Sequence, residues 1–265
     1  MVEIILYIAL IVITSMGGYY IKSLSLSGSI ATFITGCCVV IGFGWRGLFV
    51  LGAFFLTSSL WSKYKHQQKG TLNDMLEKGA RRDWIQVVAN GSIASISSLL
   101  FFFTNENIWL YAFITSIAAA NADTWASEIG VLSKRKPIYI LSGKMVEKGT
   151  SGAISWLGTL SSLGASLFIG LLSFSLFSIQ SFTLLLLVIL IGFLGSVIDT
   201  LLGATIQAIY QCKICGLKTE KKYHCREKTF LIKGANWCNN DIVNVSSIFI
   251  ATLIFVFSYM IFVGY

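Results

Sequence analysis

Long apolar runs, separated by short polar loops, divide the chain into segments of similar length. A run of about 20 apolar residues is long enough to cross a bilayer as a helix. The runs do not alternate between apolar and polar positions, as Leu184–Phe193 shows, and this excludes a β-barrel. The pattern predicts an all-α, polytopic integral membrane protein with about eight transmembrane helices, at residues 3–22, 25–43, 46–62, 84–104, 107–130, 152–178, 182–209 and 242–263.

Basic residues indicate how these spans are oriented. Of the 20 lysines and arginines, 18 lie in the stretches 63–82, 134–148 and 213–233. Pairs of spans separate these stretches, so all three face one side, which the positive-inside rule makes cytoplasmic. Both termini are then predicted outside. The net charge of +8 is therefore interpreted as a topological signal that could also hold anionic headgroups or a polyphosphate.

Composition removes several other classes of protein. Charged residues make up 12% of the chain and hydrophobic residues 55%, with a mean hydropathy of +0.76. Soluble domains carry about 25% charged residues, so a secreted disulfide scaffold, a disordered chain and a nucleic-acid binder are all excluded. We expect a single transmembrane domain over residues 1–265, with a cytoplasmic cysteine-containing loop at 211–238 inside it.

Polar residues concentrate near the cytoplasmic ends of four spans, which predicts a site that opens to the cytoplasm. Ionisable groups at membrane depth are costly and are therefore functional candidates. One such set, at i, i+3, i+7 and i+11, forms a continuous stripe on one helix face: Ser196, Asp199, Gly203 and Gln207. The alternative is a helix–helix contact held by small residues, which leaves the cost of burying Asp199 unexplained.

The fifth span carries two carboxylates, Asp123 and Glu128. On a regular helix they lie about 140° apart, so both can serve one small ion only if the helix breaks or lines a wide cavity. We favour Asp123 as the ligand because Asp199-Thr200 repeats the dipeptide Asp123-Thr124 at matching depth. Glu128 remains either a second ligand or a supporting structural carboxylate.

A glycine-containing loop before the sixth span has the composition of a phosphate site. Glycines let the backbone approach an anion, and a helix N-terminus directly after Gly152 would offer free N–H groups. Carboxylates beside it suggest Mg²⁺, held by one or two of them together with substrate phosphates. The alternative is an ordinary helix cap with solvated lysines. The phosphate-binding candidates are Lys144, Lys148, Gly149, Thr150, Ser151 and Gly152.

The last cytoplasmic loop contains Cys212 and Cys215, followed by His224 and Cys225. A C-x₂-C pair with a second ligand pair is how a tetrahedral zinc site is supplied. The adjacent residues His224 and Cys225 are awkwardly placed to reach one ion, so Cys238 is a substitute for His224. We expect either a structural Zn²⁺ clip that shapes a lid, or ordinary free thiols.

Residues 121–130, which read Asn-Ala-Asp-Thr-Trp-Ala-Ser-Glu-Ile-Gly, resemble the signature of an integral membrane family. This family contains plant phytyl-phosphate kinase and animal transmembrane protein 19. Further motifs resemble it in the same order, namely Gly79–Asp83, Gln86 with Asn90-Gly91, Gly149–Gly152, Gly195-Ser196 with Asp199 through Gln207, and Asn239–Asp241 with Asn244. A more distant similarity is to CTP-dependent dolichol and phytol kinases, from which Ala122 departs because they have glycine there.

The resemblance implies a CTP-dependent kinase that converts an isoprenyl monophosphate, such as phytyl or geranylgeranyl phosphate, to the diphosphate at the cytoplasmic leaflet. In that reaction Asp123 and Asp199, with Asp241, hold Mg²⁺, and Lys144, Lys148, Thr150 and Ser151 hold the CTP phosphates. Arg81 and Arg82 hold the acceptor phosphate. The remaining binding or orienting candidates are Asn90, Asn121, Glu128, Gln207, Asn240 and Asn244.

Two alternatives remain open at this stage. A transporter of an anion or isoprenoid phosphate could use Asp123 and Asp199 as a coupling pair, and their recurrence would fit parallel repeats. The external half nevertheless offers few polar groups for a path through the membrane. A prenol kinase or a cytidylyltransferase of related chemistry is the other alternative.

Overall fold

The structure is a computed structural model that describes residues 2–64, 75–79 and 81–263. Residues 65–74 and 80 of the predicted basic stretch 63–82 lie outside this described part. Most of the described chain is helical, in seven helices: α1 (Val2–Tyr20), α2 (Leu26–Lys63), α3 (Trp84–Thr104), α4 (Asn107–Gly130), α5 (Trp156–Leu176), α6 (Phe182–Thr205) and α7 (Asn240–Val263).

Six of these helices, all except α4, are long and apolar enough to cross a membrane, judged over the described residues. This confirms a polytopic, mainly helical membrane protein. The helix boundaries follow local signals. Asp83 caps α3 and forms a reciprocal capping box with Gln86, while Asn105 ends the helix in the left-handed conformation. Both α3 and α4 have the predicted boundaries.

Helix α2 differs from the prediction, because it covers two predicted spans and the described part holds seven helices instead of eight. Gly44 interrupts it with φ 58° and ψ −148°. A Cβ added to Gly47 would lie 2.8 Å from Cγ1 of Val39, although eight residues of straight helix separate two positions by about 12 Å. The chain therefore folds back at Gly44, a conformation that glycine adopts at little cost.

Helix α4 is the centre of the bundle and packs against α2, α3, α5, α6 and α7. Every residue from Tyr111 to Ala122 is buried. Protein surrounds this helix on all sides, so it does not need the apolar exterior of a lipid-facing span. Its alanines allow close contact with neighbouring glycines, and a Cβ on Gly192 would lie 2.8 Å from the Cβ of Ala118.

One end of the bundle is filled by aromatic side chains. The ring of Phe43, next to the reversal in α2, lies 4.7 Å from Phe101, 4.7 Å from Phe113 and 5.9 Å from Phe177, measured between ring centroids. These rings come from the ends of α3 and α5 and the start of α4. The polar side chains predicted to form a site lie at the opposite end.

Seven short strands lie at that polar end. The fold is therefore not purely helical, contrary to the all-α prediction. The strands form two two-stranded sheets, β1–β2 and β5–β6, and one three-stranded sheet in the order β4-β3-β7, all antiparallel. They lie in the α4–α5 and α6–α7 connections: β1 (Ile138–Tyr139), β2 (Ala153–Ile154), β3 (Ile209–Gln211), β4 (Lys218–Thr219), β5 (Tyr223–His224), β6 (Glu227–Lys228) and β7 (Phe230–Lys233).

Candidate active site

A cavity of about 470 Å³ lies where α3 begins and α4 and α6 end. This volume is within the range of small-molecule sites. Helices supply one wall and the α4–α5 and α6–α7 connections supply the other. The structure brings most of the predicted site residues to its lining: Arg82, Asn90, Asp123, Glu128, Lys148, Gly149, Thr150, Ser151, Gly152, Asp199, Gln207, Asn240, Asp241 and Asn244.

The carboxyl groups of Asp123 and Asp199 line the same cavity and lie close enough to interact directly. One turn earlier on each helix, Ala119 faces Gly195, and a Cβ on Gly195 would lie 2.6 Å from the Cβ of Ala119. This close helix contact places the two carboxyls opposite each other. Within the described residues neither has a basic partner, so the pair needs a cation or a proton to offset its charge.

Helix α7 orients Asp199. The Ser247 hydroxyl donates to Oδ2 of Asp199 at 3.1 Å. With the Asn244 amide assigned in the orientation that satisfies its neighbours, its nitrogen donates to the same oxygen at 3.1 Å and to the carbonyl of Asn240, also at 3.1 Å. One oxygen of Asp199 therefore has two donors, and the carboxylate is held in place before any ligand arrives.

Lys78, which the sequence analysis did not single out, binds two carboxylates at the edge of the cavity. Its Nζ lies 2.5 Å from Oδ2 of Asp241 and 2.8 Å from Oδ2 of Asp83. Burial disfavours the charged amine, but these two carboxylates outweigh it and raise the pKa of Lys78 above its ordinary value. Asp241, which was predicted to be a metal ligand, therefore forms an ion pair with Lys78.

Two adjacent arginines point to different places. Arg82 lines the cavity and donates from Nη1 to the Ser59 hydroxyl at 3.4 Å. Arg81 does not reach the lining, contrary to the prediction for the acceptor phosphate. Its Nε donates to the Leu24 carbonyl at 2.9 Å, and its guanidinium carbon lies 5.2 Å from the centroid of the Tyr19 ring. Arg81 therefore anchors the start of α3 to the α1–α2 turn.

Glu128 lines the same cavity as Asp123 and accepts a hydrogen bond from Ser62 at 2.6 Å. Both carboxylates can face one space because the cavity is wide, which was the condition set by their angular separation. Asn121, in contrast, is fully buried away from the lining. Its Nδ2 donates to the Ala165 carbonyl at 3.1 Å, so it joins α4 to α5. Asn121 does not reach the cavity, contrary to the prediction that it orients ligands.

The loop from Lys148 to Gly152 forms the other wall. Gly149 and Gly152 have φ of 82° and 84°, and a Cβ on Gly152 would lie 2.5 Å from Cα of Ala204 in α6. Glycine is therefore required at Gly152 for two reasons, the backbone conformation and the close approach. Ser151 donates to Oε1 of Gln207 at 2.6 Å, which ties the loop to the end of α6.

The helix after this loop begins later than predicted. Two strand residues follow Gly152, Ser155 is the N-cap, and α5 starts at Trp156. The Ser155 hydroxyl accepts the Gly158 N–H at 3.1 Å, so the start of α5, which lines the cavity at Ser155, Gly158 and Thr159, is already capped by its own side chain. Lys144, predicted to bind phosphate, is exposed on the turn before this loop. It is not among the residues that line the cavity.

Glu220 is a second residue that the sequence analysis missed. It accepts hydrogen bonds from Nε2 of Gln207 at 2.8 Å and from the backbone N–H of Glu77 at 3.3 Å. Burial, with the nearby carboxylates of Glu77 and Asp241, raises the pKa of Glu220 to about 7. An acidic residue among the lysines of the cysteine loop was the only signal in the sequence that could have indicated it.

The cysteine loop brings its predicted ligands together. One ligand atom each from Cys212, Cys215, His224 and Cys225 lies within 4.8 Å of the others. Cys238, the predicted substitute, is buried elsewhere, at the end of the α6–α7 connection, and does not belong to this group. The cysteines are free thiols.

Residues 9–252 match the family described as Integral membrane protein DUF92. The chain belongs to this family. It is 33% identical over 262 residues to Protein PGR of Arabidopsis thaliana, covering 89% of both chains. An uncharacterized membrane protein of Methanocaldococcus jannaschii is 34% identical over 201 residues, which is 75% of this chain and 82% of the relative.

Protein VTE6, chloroplastic, of Arabidopsis thaliana is another relative. It is 26% identical over 239 residues, which cover 88% of this chain and 65% of that protein. No solved structure matches. The family predicted from residues 121–130 and the motifs around them is thus confirmed.

The cavity of this DUF92 protein combines three kinds of group that suit phosphate chemistry. A carboxylate pair on α4 and α6 can hold a hard cation. A glycine loop with Lys148 can approach anionic oxygens, and Arg82 offers a planar fork for a phosphate. All of them lie at one end of a helical bundle, beneath the loops.

Proposed function

We propose that this protein is a CTP-dependent isoprenyl-phosphate kinase that converts phytyl or geranylgeranyl monophosphate to the diphosphate. The observation that carries the proposal is the Asp123–Asp199 pair, which has no basic partner in the described chain and faces the glycine loop across one cavity. Phosphoryl transfer depends mainly on positioning and charge neutralisation, and these residues supply both.

Each group has a defined task in this reaction. Asp123 and Asp199 would hold Mg²⁺, and the ion would offset charge on the phosphates of bound CTP. Lys148, Thr150 and Ser151 position the β- and γ-phosphates. An oxygen of the acceptor monophosphate forms a bond to the γ-phosphorus, the bond from that phosphorus to the β–γ bridging oxygen breaks, and CDP leaves. Arg82 holds the acceptor phosphate in line.

The relationship to VTE6, together with the motif resemblance to the phytyl-phosphate kinase family, supports an isoprenoid acceptor. Membrane placement is part of the proposal. Each half of α2 spans the bilayer, both termini lie outside, and the cavity faces the cytoplasm under the basic loops. The isoprenoid chain would then lie between helices while its phosphate reaches the cavity.

An enzyme accounts for the cavity better than the transporter alternative. A transporter needs polar groups along a route to the opposite face. In the described structure that end of the bundle is filled by Phe43, Phe101, Phe113 and Phe177. The aromatic cluster supports a site that opens to one side only.

The test uses purified protein in detergent with Mg²⁺ and γ-labelled CTP. Phytyl monophosphate, geranylgeranyl monophosphate and the corresponding free alcohols are supplied in parallel, and products are separated by chromatography. We expect label in the diphosphates only. Label on a free alcohol would show that the protein is a prenol kinase, which acts one step earlier. If folded protein transfers label to none of the acceptors, the transporter alternative would be favoured.

A further inference from the structure

We infer that Cys212, Cys215, His224 and Cys225 bind one structural zinc ion, and that this zinc holds the loop wall of the cavity in place. This metal is separate from the one proposed for catalysis. Only its effect on activity rests on the proposed function, because zinc content can be measured on protein that performs no reaction.

Distances within the cluster fit tetrahedral zinc. Zn–S and Zn–N bonds of about 2.3 and 2.0 Å place a sulfur and a nitrogen ligand about 3.5 Å apart. Nδ1 of His224 lies 3.4 Å from Sγ of Cys215 and 3.3 Å from Sγ of Cys225. These are ligand separations, and the thiols have formed no disulfide.

The backbone is shaped to present both ligand pairs. Gly216 adopts φ 72° directly after Cys215 and donates to the Cys212 carbonyl at 3.0 Å. Cys225 and Arg226 have φ of 51° and 63°, a conformation that is unfavourable for residues with a Cβ. This left-handed turn solves the difficulty noted in the sequence, because it lets the adjacent residues His224 and Cys225 approach the same point.

The segment that carries the ligands lacks a core of its own. Between residues 213 and 234 only Thr219 and Thr229 are fully buried, with Glu220 partly buried beside them, and all three are polar, while Ile214 and Tyr223 are 63% and 67% exposed. Its strands are two to four residues long. Small modules without an apolar core need a metal or a disulfide to fold, and here the ligands for a metal are assembled.

Charge and ligand number indicate a structural ion. Three thiolates and Zn²⁺ carry a net charge of about −1, and lysines surround the cluster in sequence at Lys213, Lys218, Lys221 and Lys222. Four protein ligands leave no open coordination position for a substrate or a water. The ion would therefore stabilise the loop without taking part in the transfer.

The segment between the ligand pairs connects the cluster to the cavity. Thr219 donates from Oγ1 to the Met75 carbonyl at 2.9 Å, and the N–H of Glu220 donates to the same carbonyl at 2.8 Å. Glu220 in turn accepts from Gln207, and Gln207 accepts from Ser151 of the glycine loop. Holding Cys215 and His224 on one ion would therefore fix the position of Glu220. Through Gln207, it would also fix the glycine loop.

The experiment measures zinc per chain by inductively coupled plasma mass spectrometry on detergent-purified protein. We expect about one zinc in the wild type, much less in Cys215→Ser, and an unchanged content in Cys37→Ser, a cysteine inside α2. Wild-type protein without zinc, or Cys215→Ser with the wild-type content, would overturn the inference.

A second measurement covers the case in which Cys215→Ser does not fold. Wild-type protein is stripped with a chelator and reloaded with Co²⁺, whose visible absorption reports tetrahedral thiolate ligation. Hydrogen exchange over residues 213–234 should be faster in the stripped protein and slow again after reloading. A cobalt spectrum without thiolate bands, or exchange that does not respond to metal, would contradict the clip whatever the enzyme's activity.

Discussion

The two walls of the cavity are built in different ways. Its helix wall carries Asp123 and Asp199, whose positions follow from the packing of α4 against α6 and α7. Its loop wall carries Lys148–Gly152 and Glu220, from connections with strands of only two to four residues. The packing of the bundle fixes the positions of the helix residues, whereas the loop residues need specific contacts to be held equally well.

Those contacts can be identified. The loop wall meets α6 at the Gly152–Ala204 contact, and the Ser151–Gln207–Glu220 chain joins the two connections just beyond the end of α6. The Lys78–Asp241 ion pair adds a contact between the α2–α3 connection and α7. Groups that carry charge at membrane depth therefore lie on helices, while the groups proposed to bind the nucleotide lie on short strands and turns that these contacts hold in place. Breaking one wall at a time should therefore give distinct effects.

The largest effect is expected on the helix wall. Asp199→Asn removes a charge from the carboxylate pair but keeps the acceptor oxygen for Ser247. Label transfer should fall about 10²–10³-fold, the typical loss when one preorganised electrostatic group is removed from an active site, while zinc content is unchanged. Glu106→Gln, which neutralises a carboxylate before α4 at the other end of the bundle, is the control and should keep wild-type turnover. Equal losses in both variants would refute the assignment.

On the loop wall, Gly152→Ala should lower turnover about tenfold or more, since overpacking against Ala204 costs about 1–3 kcal/mol and moves Ser151. Gly143→Ala is a matched control in the same connection. Gly143 has φ 66° with nothing within 4 Å of an added Cβ, so it tests backbone strain without the clash. Steady-state rates that fall equally in the two variants would show that strain alone, not contact with α6, matters.

Much of this site was predictable from the sequence because burial in a membrane is expensive. Ionisable residues inside apolar runs pointed to Asp123 and Asp199, and the loop composition pointed to Lys148–Gly152. The spacing of apolar residues also gave the boundaries of α3 and α4, where a capping box and a left-handed residue reinforce the pattern.

Side-chain direction was not predictable in the same way. Arg81 and Arg82 are adjacent and chemically identical, and only the contact with Leu24 shows which one faces away. Asn121 shares a span with Asp123, yet it serves the α4–α5 contact. Lys78 and Glu220 lie in connections between helices, and their hydrogen-bond partners are 163 and 13 residues away in the chain. No local sequence pattern therefore marks them.

The arginine pair gives a smaller, selective effect. Arg82→Lys replaces a planar fork by a point charge, and it should raise the KM for the prenyl monophosphate about tenfold, as expected for losing a charged hydrogen bond of about 1.5–3 kcal/mol. The KM for CTP should stay near the wild-type value. Arg81→Lys is the matched variant and should leave both constants nearly unchanged. An equal rise in the two variants would place the acceptor phosphate elsewhere.

The smallest effect is a change in the pH dependence of stability. The pKa of Glu220 is raised from 4.5 to about 7 in the folded protein, so the native state binds more protons than the unfolded state between these values. This contribution to stability is present at low pH and is lost as pH rises toward 7. Glu220→Gln removes it, and the variant's Tm relative to wild type should rise by a few degrees between pH 5 and pH 8. A difference in Tm that is constant with pH would contradict the assignment.

The most direct test of the central claim is a Mg²⁺ titration of γ-label transfer from CTP to geranylgeranyl monophosphate, with wild type and Asp123→Asn compared in detergent. The account predicts that wild-type transfer needs Mg²⁺ and saturates with it. Asp123→Asn, still folded and still carrying zinc, should remain inactive at every Mg²⁺ concentration. Wild-type rates in Asp123→Asn, with the same Mg²⁺ dependence, would show that the carboxylate pair does not hold the metal and that the transfer takes place elsewhere.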